Sequence, residues 1–510
     1  MIRSPDDTDE LNPPQAGDRA GVPVWLLWFV PAATAAAFAL PRMFGERWYG
    51  DAPFYQGISL RAARDGAWWP LMQGDLPFLN KPPLQFWLHG ASSFLLGETD
   101  WSGKLPEAVI FALMCVATAL LAARLHGRRV GLLAGMAMAL TSEWHWRVPN
   151  FRLDFLHTLL MVLAMRCLVD AAARPGRRGA AWAIGAGGWL GLALLTKPLF
   201  ALAVPVIAIV WLALLRRLDR AALGRIALCV PAAIVVAAPW HVSMLRTFGM
   251  HFFDVYVRQQ SLARAMGEMF DPEPWYWYLR YLVTPTGRWL AIDPIWFWPV
   301  LALALAGVVV TATRKSRSMW RAGDVLALLW TFGWLTALSC FSDKRNNYLL
   351  VIHPGTAWLA AIALYRFLPA TREFWKWLGR LLPIAAATGI ALGVYAASDA
   401  RTRLPVPADR AALYELIRSF PAGQVYNGGL KYPDAAAVYI STGVWPRSLV
   451  EKEFVPRESI PPGAIAVYDR QPGQNKRPLP DDRDEMLLDT GRFAVVRRAA
   501  DAALPAIHTP

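Results

Sequence analysis

Cysteine is scarce in this chain. There are four in 510 residues, Cys115, Cys167, Cys229 and Cys340. All lie inside apolar runs, none falls near the C-terminus, and their spacing fits no metal-ligand pattern. This excludes a cysteine metal site and leaves them as packing residues. Charge is also scarce: 18% of residues are charged, 55% are hydrophobic and the mean hydropathy is +0.29. An ordinary soluble domain carries about 25% charge, so that class is excluded and a membrane protein is expected. Acids are fewer than bases, 38 against 52, for a net charge of +14. In a soluble chain that excess would suggest nucleic acid. Here the Lys and Arg collect in short loops between apolar runs, so topology explains them and nucleic acid is not an expected partner. No internal repeat is found. No small-residue cleavage site follows the first apolar run convincingly, so that run is read as an anchor and not as a removed signal.

What is present is a series of apolar runs near the roughly 20 residues that a span requires. They are Val22–Pro41, Leu105–Leu125, Val130–Trp146, Phe155–Ala173, Ala180–Leu195, Leu199–Leu215, Ala222–Leu245, Trp289–Thr311, Val325–Phe341, Tyr348–Leu368 and Leu378–Ala397. The expectation is an α-helical polytopic membrane protein of about eleven transmembrane helices. Lys197-Pro198 interrupts the Ala180–Leu215 stretch, the least regular of the series. Many of the 25 Trp fall near run ends, where the ring suits the headgroup layer. Alternate loops are basic: Arg124 to Arg129, Arg174 to Arg178, Arg216 to Arg225, Arg314 to Arg321, and Arg366 to Arg380. By the positive-inside rule these five loops are cytoplasmic. The N-terminal tail 1–21 is then cytoplasmic, the membrane domain covers 22–397, and 398–510 is a periplasmic C-terminal domain. That last region is rich in Pro and charge. It shows an amphipathic helical pattern at Ala408–Phe420 and strand-like runs at Ala464–Tyr468 and Phe493–Val496. A small α/β domain is expected there.

The polar residues that stand out all fall on the side opposite the basic loops. Asp51 follows the first span. Phe54–Arg64 and Leu84–Leu96 read as amphipathic periplasmic helices in the interface plane. Between them Asn80-Lys81-Pro82-Pro83 fixes an extended backbone that holds Lys81 at membrane-surface height, where an ammonium suits a lipid phosphate. Asp154, in Asn150-Phe151-Arg152-Leu153-Asp154, sits at the mouth of a span, an expensive place for an acid unless it is paired or faces a cavity. Lys197 sits at an outer helix end, as do Lys344 and Arg345 in Ser342 to Tyr348. Cations on the side that should be poor in them suit an anionic substrate. Two acids beside fixed cations suit glycosyl transfer from a lipid phosphate: a carboxylate manages the acceptor's proton, and cations receive the leaving phosphate. Asp75, His89 and His157 are read as structural.

These motifs resemble the GT-C type membrane glycosyltransferases, in the group of the bacterial aminoarabinose transferases and protein O-mannosyltransferases. The resemblance runs over roughly 20–400. It is carried in order by Asp51, Lys81-Pro82-Pro83, Asp154, Thr196-Lys197 and Lys344 to Tyr348. It implies Asp51 as the catalytic carboxylate near the acceptor and Asp154 as its assistant. It implies Lys81, Lys197, Lys344, Arg345 and Tyr348 as the donor-phosphate site. Arg152, Arg258 and Arg264 are added as substrate-binding candidates. The chain departs from the group at Asn80, where Glu is usual, and around Arg258–Arg264. No metal ligand is therefore assigned, and a divalent metal is left open.

The expectation is an integral inner-membrane glycosyltransferase with a periplasmic site. It takes a sugar from a polyprenyl-phosphate (undecaprenyl-phosphate) donor to an envelope lipid, lipopolysaccharide or other glycan, with inversion. A protein acceptor is the alternative. A lipid-linked sugar transporter is the rival of a different class, but it would place its site near the midplane of repeated halves. A non-enzymatic envelope assembly protein is a further rival.

Overall fold

The computed structural model describes residues 22–45, 48, 50–141, 148, 150–197, 200–263, 273–283, 294–312, 322–369, 371–398, 406–448, 455–470 and 480–499. Among them, seven helices are long and apolar enough to cross a membrane: Val24–Phe44, Asp100–His126, Leu153–Ala173, Arg220–Gln260, Ala322–Cys340, Asn346–Phe367 and Arg372–Tyr395. Phe200–Leu214 and Val300–Ala312 are shorter apolar helices. The chain is thus a multi-pass membrane protein. Every apolar run named above lies on a helix, at least in its described part.

The chain divides into two compact units. The first comprises Met1–Gly45, Leu79–Gln85 and Lys104–Thr402. Its helices pack through small residues, as helices in lipid do when no hydrophobic force drives them together. The Gly176–Leu194 helix runs against the Cys229–Phe252 helix with Gly187 and Gly191, one turn apart, on its contact face. A Cβ at Gly187 would stand 2.4 Å from the Cys229 carbonyl oxygen, so only glycine permits this approach. Elsewhere the helices present apolar side chains outward. Trp25, Trp28, Ile384, Leu392 and Val394 are all more than half exposed, an arrangement that suits surrounding lipid. Three of the cysteines are buried in this packing; Cys340 is exposed at a helix end.

The second unit comprises Glu46–Phe78, Phe86–Gly103 and Arg403–Pro510. It joins the segment after the first span to the C-terminal region. Four strands form its sheet in the order Val425–Gly429, Ile465–Asp469, Phe493–Arg497, Glu485–Asp489. The first pair is parallel and the others antiparallel. Ile465, Val467, Phe493 and Val495 face a core shared with Leu413, Ile417 and Val438 of two helices. Ala466, Tyr468 and Val496 face the opposite way, against Val455 and Ile460. Both sheet faces are therefore covered. The Ala52–Asp65 helix packs on the Tyr432–Thr442 helix. There Gly57 leaves room for the Trp445 ring, Arg64 Nη1 donates to the Tyr439 carbonyl at 3.1 Å, and the Tyr439 hydroxyl donates to Asp65 at 3.3 Å.

Candidate active site

Three chain segments of the first unit converge. The Leu153–Ala173 helix begins after the extended Arg152 and carries Asp154 in its first turn. The Gly176–Leu194 helix ends in a turn wound on Ala193, whose carbonyl accepts from the N–H groups of Thr196 and Lys197 at 3.0 Å each. The short 3-10 segment Asn346–Ile352 supplies Asn347 and Tyr348. Together they place Lys197 Nζ 2.6 Å from Asp154 Oδ1, and Asn347 Nδ2 2.7 Å from Asp154 Oδ2. Both carboxylate oxygens are thereby engaged. Lys197 Nζ also stands 4.2 Å from the centre of the Tyr348 ring and 5.4 Å from that of Phe200, within cation–π range.

This cluster opens into a small cleft. Asp154, His157, Thr158 and Met161 line it from one helix face, as their spacing of three and four residues requires. Lys197, Phe200, Asn347 and Tyr348 close one side, and Trp334, Leu338 and Val351 give the rest an apolar wall. An ammonium has three N–H donors. One goes to Asp154, and among the described residues Lys197 Nζ makes no other hydrogen bond. The cleft therefore joins a paired ammonium with unused donors to an apolar trough.

Lys81 is buried in the same unit and donates to Gln260 Oε1 at 2.8 Å. Its Pro-Pro segment is tied down by Leu84 N–H, which donates to the Leu195 carbonyl at 2.9 Å. Arg152 is held through its backbone. Its N–H donates to Glu107 Oε1 at 2.7 Å and its carbonyl accepts from Gln85 Nε2 at 3.0 Å, while Gln85 also reaches Glu107 Oε1 at 2.5 Å. Lys344 is buried and donates to the carbonyls of Glu273 and Phe341. Burial pulls its ammonium below the ordinary lysine value, opposed by Cys340 and Glu273. Arg345 Nε pairs with Asp343 at 3.2 Å. Arg258 is largely exposed and lies 3.6 Å from Asp254, a surface pair of little energetic weight. Lys81, Arg152, Lys344, Arg345 and Arg258 do not line the cleft. Arg264 lies outside the described residues.

Asp51 belongs to the second unit. It occupies the N-cap of the Ala52–Asp65 helix, yet its side chain makes no capping hydrogen bond, and the residue is exposed. An aspartate there ordinarily caps the first turn; this carboxylate is presented outward instead. Among the described residues no three His, Cys, Asp or Glu side chains converge on a metal-sized site, and Asn80 offers an amide where the resemblance implies an acid.

The sequence reading did not single out Asn347, His157 or Glu107 as site residues. Asn347 lies inside the Ser342–Tyr348 motif already noted. For Glu107 and His157 the signal is a polar residue within an apolar span, where burial without a partner is costly.

The chain is thus a bundle of apolar helices with a cation, a carboxylate and an aromatic ring gathered in one cleft, together with a second α/β unit. The structure superposes on ArnT from Cupriavidus metallidurans bound to undecaprenyl phosphate with a TM-score of 0.69 at 18% identity, covering 94% of this chain and 99% of that one. An oligosaccharyltransferase from Archaeoglobus fulgidus gives 0.51 at 14% identity, covering 87% of this chain and 69% of that one. The family model for dolichyl-phosphate-mannose-protein mannosyltransferases matches residues 80–242. In sequence the chain is similar to the undecaprenyl phosphate-alpha-4-amino-4-deoxy-L-arabinose arabinosyl transferases of Pectobacterium carotovorum and Erwinia tasmaniensis. The first is 26% identical over 71% of this chain and 63% of that protein; the second is 27% identical over 62% and 55%. The chain thus spans less than two thirds of the length of these relatives. In sequence it is similar to these transferases, and with the solved structures it shares a fold.

Proposed function

We propose that this protein is an inner-membrane glycosyltransferase that moves a sugar from a polyprenyl-phosphate carrier to an envelope lipid or glycan, lipid A first, on the periplasmic face. All eleven apolar runs cross the membrane in this reading, with the N-terminus cytoplasmic and the C-terminal domain periplasmic. The observation that carries it is the cleft at Lys197: an ammonium with unused donors beside Tyr348, opening onto an apolar trough. A phosphate attached to a prenyl chain has the matching parts. Its oxygens take the Lys197 donors, and its first isoprene units lie along Met161, Trp334, Leu338 and Val351. Asp154 positions Lys197, since both of its oxygens are engaged. Lys81, Lys344 and Arg345 lend positive potential around the donor, and Arg152, Arg258 and Arg264 are kept as substrate-binding residues. Asp51, exposed and not spent on its helix, receives the acceptor's proton in this reading. Sugar transfer is then a single displacement with inversion at the anomeric carbon, and the leaving phosphate's charge grows against Lys197.

The test is transfer in proteoliposomes holding the full-length protein, an undecaprenyl-phosphate-linked aminosugar and lipid A. Wild type should transfer the sugar. Asp51→Asn, inserted normally, should lose about 10²- to 10⁴-fold in rate, the range of general acid–base catalysis. Unchanged transfer by that variant would overturn the role given to Asp51, and no transfer by the wild type would overturn the substrate assignment.

A further inference from the structure

His157 lines the same cleft and is almost wholly buried, at 4% exposure. Its Nδ1 lies 3.2 Å from the Ala193 carbonyl. A carbonyl only accepts, so Nδ1 carries the hydrogen and Nε2 is a bare lone pair. Nε2 is buried and has no hydrogen-bond partner among the described residues. A buried acceptor left unmet is costly. Asp154 at the cleft is itself an acceptor engaged elsewhere, and no donor among the described residues reaches Nε2.

We propose that His157 Nε2 is a binding group for an O–H proton on the ligand, and that this proton is the P–OH of a phosphomonoester, the spent lipid carrier. The inference rests on the reading of the cleft as the carrier-phosphate site. The donor is a phosphodiester; it bears one negative charge and no P–OH. On transfer the acceptor oxygen bonds to the anomeric carbon and gives up its proton. The bond between that carbon and the phosphate oxygen breaks with its electron pair left on phosphate. One proton returns to the phosphate, and the carrier is now a monoester with a single P–OH and one charge. The Lys197–Asp154 pair is close to neutral overall, which favours this monoanion over the dianion. The monoester meets Nε2 and the diester does not, so His157 tells the spent carrier from the charged one.

His157 also clips the carbonyl on which the Lys197 turn is wound, and that role must be separated from ligand binding. Two isosteres do so. His157→Asn keeps a donor at the Nδ1 position and has nothing at Nε2. His157→Gln places an amide oxygen near Nε2 and gives up the clip. The full-length protein in micelles is titrated with undecaprenyl phosphate and with its methyl diester, and tryptophan fluorescence is followed, since Trp334 lines the cleft. Loss of one hydrogen bond predicts about tenfold weaker monoester binding by His157→Asn, with diester binding held within about twofold and His157→Gln retaining most monoester affinity. The proposal is overturned if His157→Asn binds the monoester as wild type does, if it loses both probes alike, or if His157→Gln fails where His157→Asn holds. Lys197→Ala serves as the separate control. If it binds both probes like wild type, the cleft is not the phosphate site; if it loses both while His157→Asn loses neither, only the role of His157 falls.

Discussion

Replacing Asp154 by Asn tests the electrostatics of the cleft directly. The Asp154–Lys197 pair is 2.6 Å apart, which at an effective dielectric of about 20 is a gross attraction of about 6 kcal/mol. Desolvation of the two groups offsets much of this, so the pair's net worth is small. Breaking it is different, because the ammonium is then stranded. Removing one partner of a buried pair costs about 3–5 kcal/mol. The two side chains retain 12% and 13% exposure, which places this pair at the low end, about 3 kcal/mol. That is on the order of a hundredfold in the folded-to-unfolded ratio. The new amide adds a conflict: with its oxygen toward Asn347 Nδ2, its NH₂ faces Lys197, donor against donor. Unfolding of the purified protein in micelles, followed by tryptophan emission, should show the loss. Asp154→Asn combined with Lys197→Met should recover most of it, because no charge is left unpaired. Undecaprenyl phosphate should stabilise the single variant more than wild type, since its anion replaces the lost carboxylate. Wild-type stability of Asp154→Asn, or losses that simply add in the double variant, would refute the reasoning.

Glu107→Ala takes away the acceptor of the Arg152 N–H and one of the two acceptors of the Gln85 amide. The loosened Arg152–Asp154 turn should lower kcat/KM for the lipid-linked donor by about tenfold, and Glu107→Gln, which keeps an oxygen in place, should restore most of it; equal losses in the two would contradict the positioning role. Gly187→Leu drives a side chain into the Cys229 carbonyl, and overpacking of that kind costs about 1–3 kcal/mol, read as a fall in thermal midpoint; an unchanged midpoint would contradict the close helix contact.

The helices were legible because apolar runs announce themselves. Leu84–Leu96 comes to the residue from the helical spacing of its apolar side chains, and Leu153–Ala173 almost to the residue from its apolar run. Asp154, Lys197 and Tyr348 stood out singly as polar or aromatic residues at helix ends; the fold is what brings them within contact. Other features were hidden for physical reasons. His157 and Glu107 are single polar residues in apolar stretches, and whether such a residue is merely satisfied or faces a cavity depends on which helix lies opposite. Lys344 reads as an exposed cation, but its ammonium bends back to two carbonyls, a contact no spacing reveals. In the second unit, the Glu485–Asp489 strand has neither alternation nor a continuous apolar run, because it is an edge strand with little burial. Its pairing partner, Phe493–Arg497, is buried at four of five positions and was visible.

The central claim is that Lys197 grips the carrier phosphate. A structure of the full-length protein with undecaprenyl phosphate bound tests it most directly. A phosphate oxygen should lie about 2.8 Å from Lys197 Nζ, the length of a charge-assisted hydrogen bond, with the prenyl chain along Met161, Trp334 and Leu338. A phosphate held elsewhere, with Lys197 still paired to Asp154 alone, would contradict it.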